Sequence, residues 1–181
     1  MEITFAKKGP RDYQVVVRRD DGVLLNVRSF DRTLRLPHDI AHFVVETELG
    51  LEHGFWGLLA AGVLFNNMRV AAGRVRPRAR ERSRSVLKEV GQHPIEAEVL
   101  VSVMQGIAEE RADEHWRTVQ ARLDAVWKPR KSQRGPISHD EVRRVCRELR
   151  VAEEKWRALS VGQSITVVWG SHSRRLQQSC R

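Results

Sequence analysis

The chain has 181 residues, of which 41% are hydrophobic and 30% are charged, and its formal net charge is +9. This composition is typical of one folded, soluble domain and excludes a disordered chain, while the longest mostly apolar stretch, 55–65, is too short to cross a membrane. The first residues, Met1–Phe5, lack the basic-then-apolar layout of a secretion signal, so we expect a cytoplasmic protein. The two cysteines, Cys146 and Cys180, define neither a disulfide framework nor a metal-binding pair.

The first thirty residues predict a small antiparallel sheet. Short apolar or β-branched runs at 3–5 and 13–17 predict two strands, and the sequence Asp-Asp-Gly at 20–22 predicts a tight turn into a third strand at 23–27. Near the other end, 162–169 contains the run Ile-Thr-Val-Val-Trp. This run predicts a strand that could return to the N-terminal sheet.

Helices are predicted between these strands. The first is expected over 37–49, because proline is favoured at the first position of a helix and Gly50 is a typical C-terminal stop. A short buried helix is expected at 55–62. A longer helix begins at Pro94, with Gly106 as a possible bend or end, and its apolar residues recur in steps of four. These residues are Ile95, Val99, Val103 and Ile107.

Two more helices are predicted in the second half of the chain. Apolar residues between 112 and 126 alternate in steps of four and three and form one face, which suits packing against another helix. That partner belongs either to this chain or to a second copy, so a homodimer through the helical half, or a protein-interaction module, stays open. The last helix begins with a capping box formed by Ser138 and Glu141. Its apolar positions are Val142, Val145, Leu149 and Trp156.

These elements predict an α+β fold class. A small antiparallel N-terminal sheet, joined by a C-terminal strand, packs against a helical layer. We expect one domain over 1–170, followed by a flexible tail at 171–181.

The positive charge is concentrated between Arg69 and Lys88, a segment that contains eight basic residues and a single acidic residue, Glu81. Because 72–84 shows no apolar periodicity and contains Pro77, it predicts an exposed loop. Alternating arginines in such a loop could bind nucleic acid through its phosphates, with little reading of the bases. They are Arg74, Arg76, Arg78, Arg80, Arg82 and Arg84. The alternative is a solvated basic loop in an arginine-rich protein, since arginine outnumbers lysine 26 to 6 along the whole chain.

The strongest indication of chemistry is a histidine pair at the start of the 37–49 helix. His38, His42 and Glu46 are spaced by four and therefore share one helical face. Two imidazoles and a carboxylate can coordinate a divalent metal ion, with zinc the first choice, or activate a water bound to it. The alternative is structural: Asp39 complements the helix dipole and the histidines bond to neighbouring groups.

The segment HDIAH at 38–42 resembles the zinc metalloprotease signature, in which two helical histidines flank a glutamate and two uncharged residues. The resemblance implies that His38 and His42 hold the metal, that Asp39 is the catalytic base, and that the reaction is metal-assisted hydrolysis. It departs from the family in two ways, because Asp39 is one methylene shorter than glutamate and the first histidine lies at the helix start. It identifies no third ligand, and we expect Glu46 to be either a ligand or a partner that supports one. The possible ones are Glu46, His53, Glu98 and His115.

A wider segment resembles a family of small bacterial proteins. The pattern is LPHDxxHFxxE from Leu36 to Glu46, followed by GLxxGFWG from Gly50 to Gly57. The likeness also includes the N-terminal strands and the final strand near Trp169. It implies a shared fold and a shared use of this segment, and it names no reaction.

Overall fold

The computed structural model describes residues 1–28, 35–126 and 135–170, and the backbone of 177–179. Its strands are β1 (Glu2–Gly9), β2 (Asp12–Arg18), β3 (Leu24–Val27), β4 (Met68–Ala72), β5 (Ser164–Val168) and β6 (Gln177–Ser179). They form one sheet in the order β4-β3-β2-β1-β5-β6. Every neighbouring pair is antiparallel.

The helices are α1 (His38–Leu49), α2 (Phe55–Ala60), α3 (Ala79–Val90), α4 (His93–Glu110), α5 (Trp116–Val126) and α6 (His139–Ala158). Helices α1, α4 and α6 pack against one another. Their buried residues join those of the sheet in one hydrophobic core, so the predicted α+β fold is confirmed. Within the described part of the chain, no helix is both long and apolar enough to cross a membrane.

Alternation along the strands explains why the sheet buries one face. Ile3 and Phe5 of β1 and Val15 and Val17 of β2 are fully buried, whereas the residues between them are only half-buried. Because successive strand residues point to opposite faces, the apolar set of each strand lies on the side of the helices. In β5, Val167 pairs with Ile3. The predicted N-terminal strands and the returning C-terminal strand are therefore confirmed.

The C-terminal end of α1 and the N-terminal end of α6 follow local sequence signals. Gly50 ends α1 in the left-handed conformation with φ 65°, and the backbone N–H of Leu51 donates to the carbonyl of Glu46 over 2.8 Å. Helix α6 begins with the predicted capping box. The Ser138 hydroxyl accepts from the backbone N–H of Glu141 over 3.3 Å, and the Glu141 carboxylate accepts from the backbone N–H of Ser138 over 2.9 Å.

The predicted apolar positions of α6 are all buried, as is the free thiol of Cys146 between them. Burial raises the pKa of the Cys146 thiol to about 12. The thiol is therefore protonated at neutral pH and acts as a small core group.

The prediction of an exposed loop over 72–84 is wrong for its second half, because α3 begins at Ala79. Helix α3 is held by Ser83, which is buried. Its hydroxyl donates to the carbonyl of Ala79 over 2.8 Å and accepts from the backbone N–H of Leu64 over 2.9 Å. A buried serine leaves no apolar periodicity to detect, and the surrounding arginines are good helix formers. Strand β4, which precedes this segment, was also not anticipated from the sequence.

The predicted apolar face of α4 is only partly correct. Ile95 is 65% exposed, whereas Ile107 is fully buried, and the helix continues through Gly106. The buried residues are Ala97, Leu100, Val101, Met104, Ile107 and Ala108. On α5, Val119 and Leu123 are buried in the core of the same chain, so part of the 112–126 face is covered internally. A homodimer through that half stays a prediction.

Of the tail predicted at 171–181, the structure describes only 177–179. These residues form β6, with Gln177 paired to Thr166 and Ser179 paired to Ser164. Within 177–179 the backbone is therefore an edge strand of the sheet, and flexibility of the tail stays a prediction. The rest of that segment, including Cys180, lies outside the described residues.

Candidate metal centre

Helices α1 and α4 bring two histidines and one glutamate together. Nε2 of His38 lies 2.9 Å from Oε1 of Glu98, and Nε2 of His42 lies 2.9 Å from Oε2 of the same carboxylate. One ligand atom from each of these three residues lies within 4.8 Å of the others. The structure therefore brings both predicted histidine ligands to one point, and the carboxylate at that point comes from α4.

The second nitrogen of each imidazole contacts an oxygen that can only accept hydrogen bonds. Nδ1 of His42 lies 2.8 Å from Oε1 of Glu46, and Nδ1 of His38 lies 3.1 Å from Oε1 of Gln105. The Gln105 amide nitrogen donates to the Glu109 carboxylate over 3.3 Å, which turns its oxygen toward His38. Both Nδ1 atoms therefore carry a proton, and both Nε2 atoms face Glu98.

Glu46 positions His42 and does not join the cluster. Its side chain is completely buried, and besides Nδ1 of His42 it accepts the backbone N–H groups of Phe55 and Trp56, each over 2.9 Å. These N–H groups belong to the first two residues of α2, where a carboxylate is favoured. A Cβ on Gly54 would lie 2.4 Å from Cδ of Glu46, so only glycine leaves room for this carboxylate. The assignment of Glu46 as a metal ligand is corrected accordingly.

Asp39, the predicted catalytic base, also bonds elsewhere. Its Oδ2 accepts the hydroxyl hydrogen of Tyr13 over 2.7 Å, and its backbone carbonyl accepts from the Trp56 indole over 3.1 Å. Tyr13 lies on β2, so this bond links α1 to the sheet. Asp39 lies roughly 100° around α1 from His38, and it is not one of the grouped residues. The assignment as base is corrected to a structural contact.

The hydrogen bonds of the cluster shift all three ionisable groups toward their charged forms. The pKa of His38 is raised, chiefly by its bond to Glu98. Burial would lower the pKa of His42, but its bonds to Glu46 and Glu98 outweigh burial and raise it to about 9. The bonds from His38 and then His42 hold the pKa of Glu98 well below its usual range. Without a metal, these bonds therefore favour the charged forms of His38, His42 and Glu98.

Exposure increases from the core outward across the cluster. The His42 side chain is 7% exposed, that of His38 is 32% exposed and that of Glu98 is 56% exposed. The Phe55 ring lies 6.1 Å from the His42 ring and forms an apolar wall. The arrangement thus has a rigid, buried side and a side open to solvent.

Of the other possible third ligands, Glu98 is the one that lies in the described structure with His38 and His42. His53 stacks on His93 with ring centroids 5.5 Å apart, and neither His53 nor His115 is among the grouped residues. The sequence did hold a signal for Glu98 and Gln105: a spacing of seven places both on one face of the predicted helix. Nothing local in the sequence indicated that this face meets α1.

The six arginines singled out from the sequence divide between two elements. Arg74, Arg76 and Arg78 lie between β4 and α3, and Arg80, Arg82 and Arg84 lie within α3. All six are exposed. Nucleic-acid binding by these residues stays a prediction.

Comparison with protein-family models, with curated proteins and with solved structures found no match to this chain. The resemblances noted in the sequence stay predictions, and the interpretation of the centre depends on its geometry.

Proposed function

We propose that this protein binds one divalent metal ion, preferably zinc, through Nε2 of His38, Nε2 of His42 and the carboxylate of Glu98. One observation carries the proposal: the Nδ1 atoms of both histidines face acceptor oxygens, so the Nε2 atoms converge on a single carboxylate. Two imidazoles and one carboxylate are a known ligand set of catalytic zinc sites, in which the fourth coordination position is left for water or substrate. The solvent-exposed side of this cluster suits such an open position.

The contacts behind the histidines support a metal centre over a simple ion pair. Ligand histidines in metalloproteins usually donate their second N–H to a carboxylate or carbonyl oxygen, which fixes the ring and raises its basicity. Glu46 and Gln105 occupy these supporting positions for His42 and His38. An ion pair with Glu98 alone would need neither of them.

The chemistry that such a centre supports best is hydrolysis. A bound divalent ion lowers the pKa of a coordinated water and polarises a carbonyl or phosphoryl oxygen of the substrate. Glu98 is more than half exposed, which leaves room for water and substrate on that side. Since Asp39 bonds to Tyr13, the proposal assigns no side-chain base and relies on the ion to ionise the water.

The test is zinc binding by wild-type protein and two variants of α4. Glu98→Gln removes the shared carboxylate from an exposed position, so the fold should survive. Glu96→Gln makes the same change in charge two residues earlier, roughly 200° around the helix. Each protein is stripped with chelator, dialysed against zinc, analysed for metal content and titrated against a competing chromophoric chelator.

We expect about one zinc per chain in wild type and in Glu96→Gln, and an affinity at least about tenfold lower in Glu98→Gln. Wild-type protein that takes up no stoichiometric zinc, cobalt or manganese would overturn the proposal. Equal losses in the two variants would do the same, since they would indicate a general charge effect. Hydrolysis is tested separately, by comparing zinc-loaded wild type and Glu98→Gln on activated ester and phosphate-ester substrates.

A further inference from the structure

A pocket lined by three arginines lies between the β2–β3 turn, the segment after α2 and the start of α3. It encloses about 430 Å³ and shares no residue with the metal centre. Its charged lining consists of Arg19, Asp20, Asp21, Arg76 and Arg82. Leu64, Val75 and Val86 contribute apolar walls. Its volume is within the range of pockets that hold small molecules, about 300 to 1,000 Å³.

Arg19 is the least usual residue of this pocket, because its guanidinium is only 8% exposed. Nε donates to Oδ1 of Asp21 over 3.1 Å, and Nη2 donates to Oδ2 of the same carboxylate. Nη1 is shielded from water and has no hydrogen-bond acceptor in the part of the chain that the structure describes. A buried, charged N–H donor without an acceptor is costly and rare in folded proteins. It therefore indicates a partner that none of the described residues supplies.

The two aspartates of the lining do not supply it. Asp21 pairs with Nε and Nη2 of Arg19, and Asp20 lies 2.8 Å from the N-terminal amine of Met1. Arg76 and Arg82 are exposed and form no ion pair with any described residue. The pocket therefore combines two engaged carboxylates with three guanidinium groups that retain free N–H donors.

We propose that this pocket binds the phosphate group of a small phosphate monoester, with Arg19 Nη1, Arg76 and Arg82 as its donors. Planar guanidinium groups match the oxygens of a phosphate better than any other side chain does. The first residue of α3, Ala79, also borders the pocket, and a helix N-terminus favours an anion. The apolar walls suit the organic part of the ester.

A small ester fits these observations better than a nucleic acid does. The donor that lacks an acceptor belongs to the most buried of the pocket's arginines, and such a position suits a compact terminal phosphate better than a continuous phosphate backbone. A polynucleotide would contact the exposed arginines of α3 without distinction, Arg80 and Arg84 included. These two do not line the pocket, and they supply the matched control.

The experiment is calorimetric titration of the full-length protein with phenyl phosphate and with inorganic phosphate, in a phosphate-free buffer. Arg76→Gln/Arg82→Gln removes two charges from the pocket. Arg80→Gln/Arg84→Gln removes two charges from the same segment outside it. Arg19→Lys keeps the charge beside Asp21 but removes the forked donor.

We expect saturable 1:1 binding of phenyl phosphate, about tenfold tighter than that of inorganic phosphate because the ring is buried. Binding should weaken about tenfold or more in Arg76→Gln/Arg82→Gln and in Arg19→Lys, and less than about twofold in the control variant. Each variant is first checked for a wild-type circular dichroism spectrum.

Absence of saturable binding in wild type up to about 10 mM phenyl phosphate would overturn the proposal. Equal weakening in the two double variants would also overturn it, because it would indicate a general charge effect of the kind that attracts nucleic acid. Equal affinity for the two probes would overturn the assignment of an ester with an apolar part.

Discussion

Glu46→Gln removes one charge from the most enclosed part of the metal centre while keeping the length and shape of the side chain. The wild-type carboxylate accepts three hydrogen bonds, from Nδ1 of His42 and from the backbone N–H groups of Phe55 and Trp56. A glutamine has only one acceptor oxygen, and its amide nitrogen is a donor. At least one of the three buried donors therefore faces another donor in the variant.

The size of the effect follows from these contacts. A buried donor left without an acceptor costs about 1–3 kcal/mol, and losing charge assistance in the bond to His42 costs about 1 kcal/mol more. We expect the free energy of unfolding to fall by about 3 kcal/mol. For a domain of this size that corresponds to a Tm lower by about 6–12 °C. Because His42 also loses the group that orients its ring, zinc affinity should fall about 10- to 100-fold.

The assay is thermal and urea denaturation of metal-free protein, followed by zinc titration of the folded variants. Glu48→Gln is the matched control on the same helix. The Glu48 side chain is 12% exposed and pairs with Nε of Arg144 over 2.8 Å, so this change should cost about 1–2 kcal/mol and leave zinc affinity unchanged. A Glu46→Gln variant with the stability and zinc affinity of the control would refute the role given to Glu46.

Three further predictions concern contacts at and beyond the centre. Gly54→Ala should lower the Tm, because the new Cβ would lie 2.4 Å from Cδ of Glu46. In a Glu46→Ala background the same change should cost less, because the clashing carboxylate is gone. If the two changes in stability are simply additive, Gly54 and Glu46 do not clash as proposed. Two hydrogen bonds from Arg150 lower the pKa of Asp113 in the folded protein below its ordinary value of 3.8. The ion pair therefore stabilises the fold fully above pH 3.8, and this stabilisation is lost as the pH falls through the lower pKa of the folded state. The stability difference between wild type and Asp113→Asn, measured by urea unfolding, should therefore shrink from about pH 7 to about pH 3, and a constant difference would count against the ion pair. In metal-free protein, the raised pKa of His42 stabilises the fold below pH 6.5, and this stabilisation is lost as the pH rises through about 9. The free energy of unfolding of wild type should therefore fall between about pH 6.5 and 9 more steeply than that of His42→Gln. Equal slopes in the two proteins would exclude His42 as the source.

Strands β1 to β3, the C-terminal end of α1 and the start of α6 could be predicted from the sequence because each depends on neighbouring residues. Gly22 with φ 79° permits the turn between β2 and β3, and Gly50 ends α1 in the same left-handed region. The capping box of Ser138 and Glu141 spans only three residues. Where the contacts that determine an element join residues close together in the chain, the sequence pattern predicts the structure correctly.

Elements that depend on distant contacts were missed or misplaced. Helix α3 is anchored by Ser83, whose partner Leu64 lies nineteen positions earlier in the chain. Helix α4 has apolar residues on more than one face, and the choice between Ile95 and Leu100 for the core depends on where α1 and α6 lie. Ile95 is 65% exposed and Leu100 is fully buried.

The residues of the candidate site show the same difference between local and distant contacts. The histidine spacing on α1 is local and was recognised, whereas Glu98 was only one of four possible third ligands because its position depends on the packing of α4 against α1. The role of Glu46 was also not fixed by spacing. Its carboxylate accepts the two backbone N–H groups at the start of α2, and the spacing of residues on α1 does not predict these contacts.

The charge balance of the centre links the ion-paired state to the proposed metal-bound state. In the ion-paired state, the bond to Glu98 raises the pKa of His38, and despite burial the bonds to Glu46 and Glu98 raise the pKa of His42 to about 9, which favours a second proton on each imidazole. One divalent ion that replaces both protons leaves the total charge unchanged. The Nδ1 bonds to Glu46 and Gln105 are already of the kind that ligand histidines make in metalloproteins, so we expect the buried side of the centre to need no rearrangement when the ion binds. We expect the adjustment to fall on Glu98, the most exposed of the three proposed ligands.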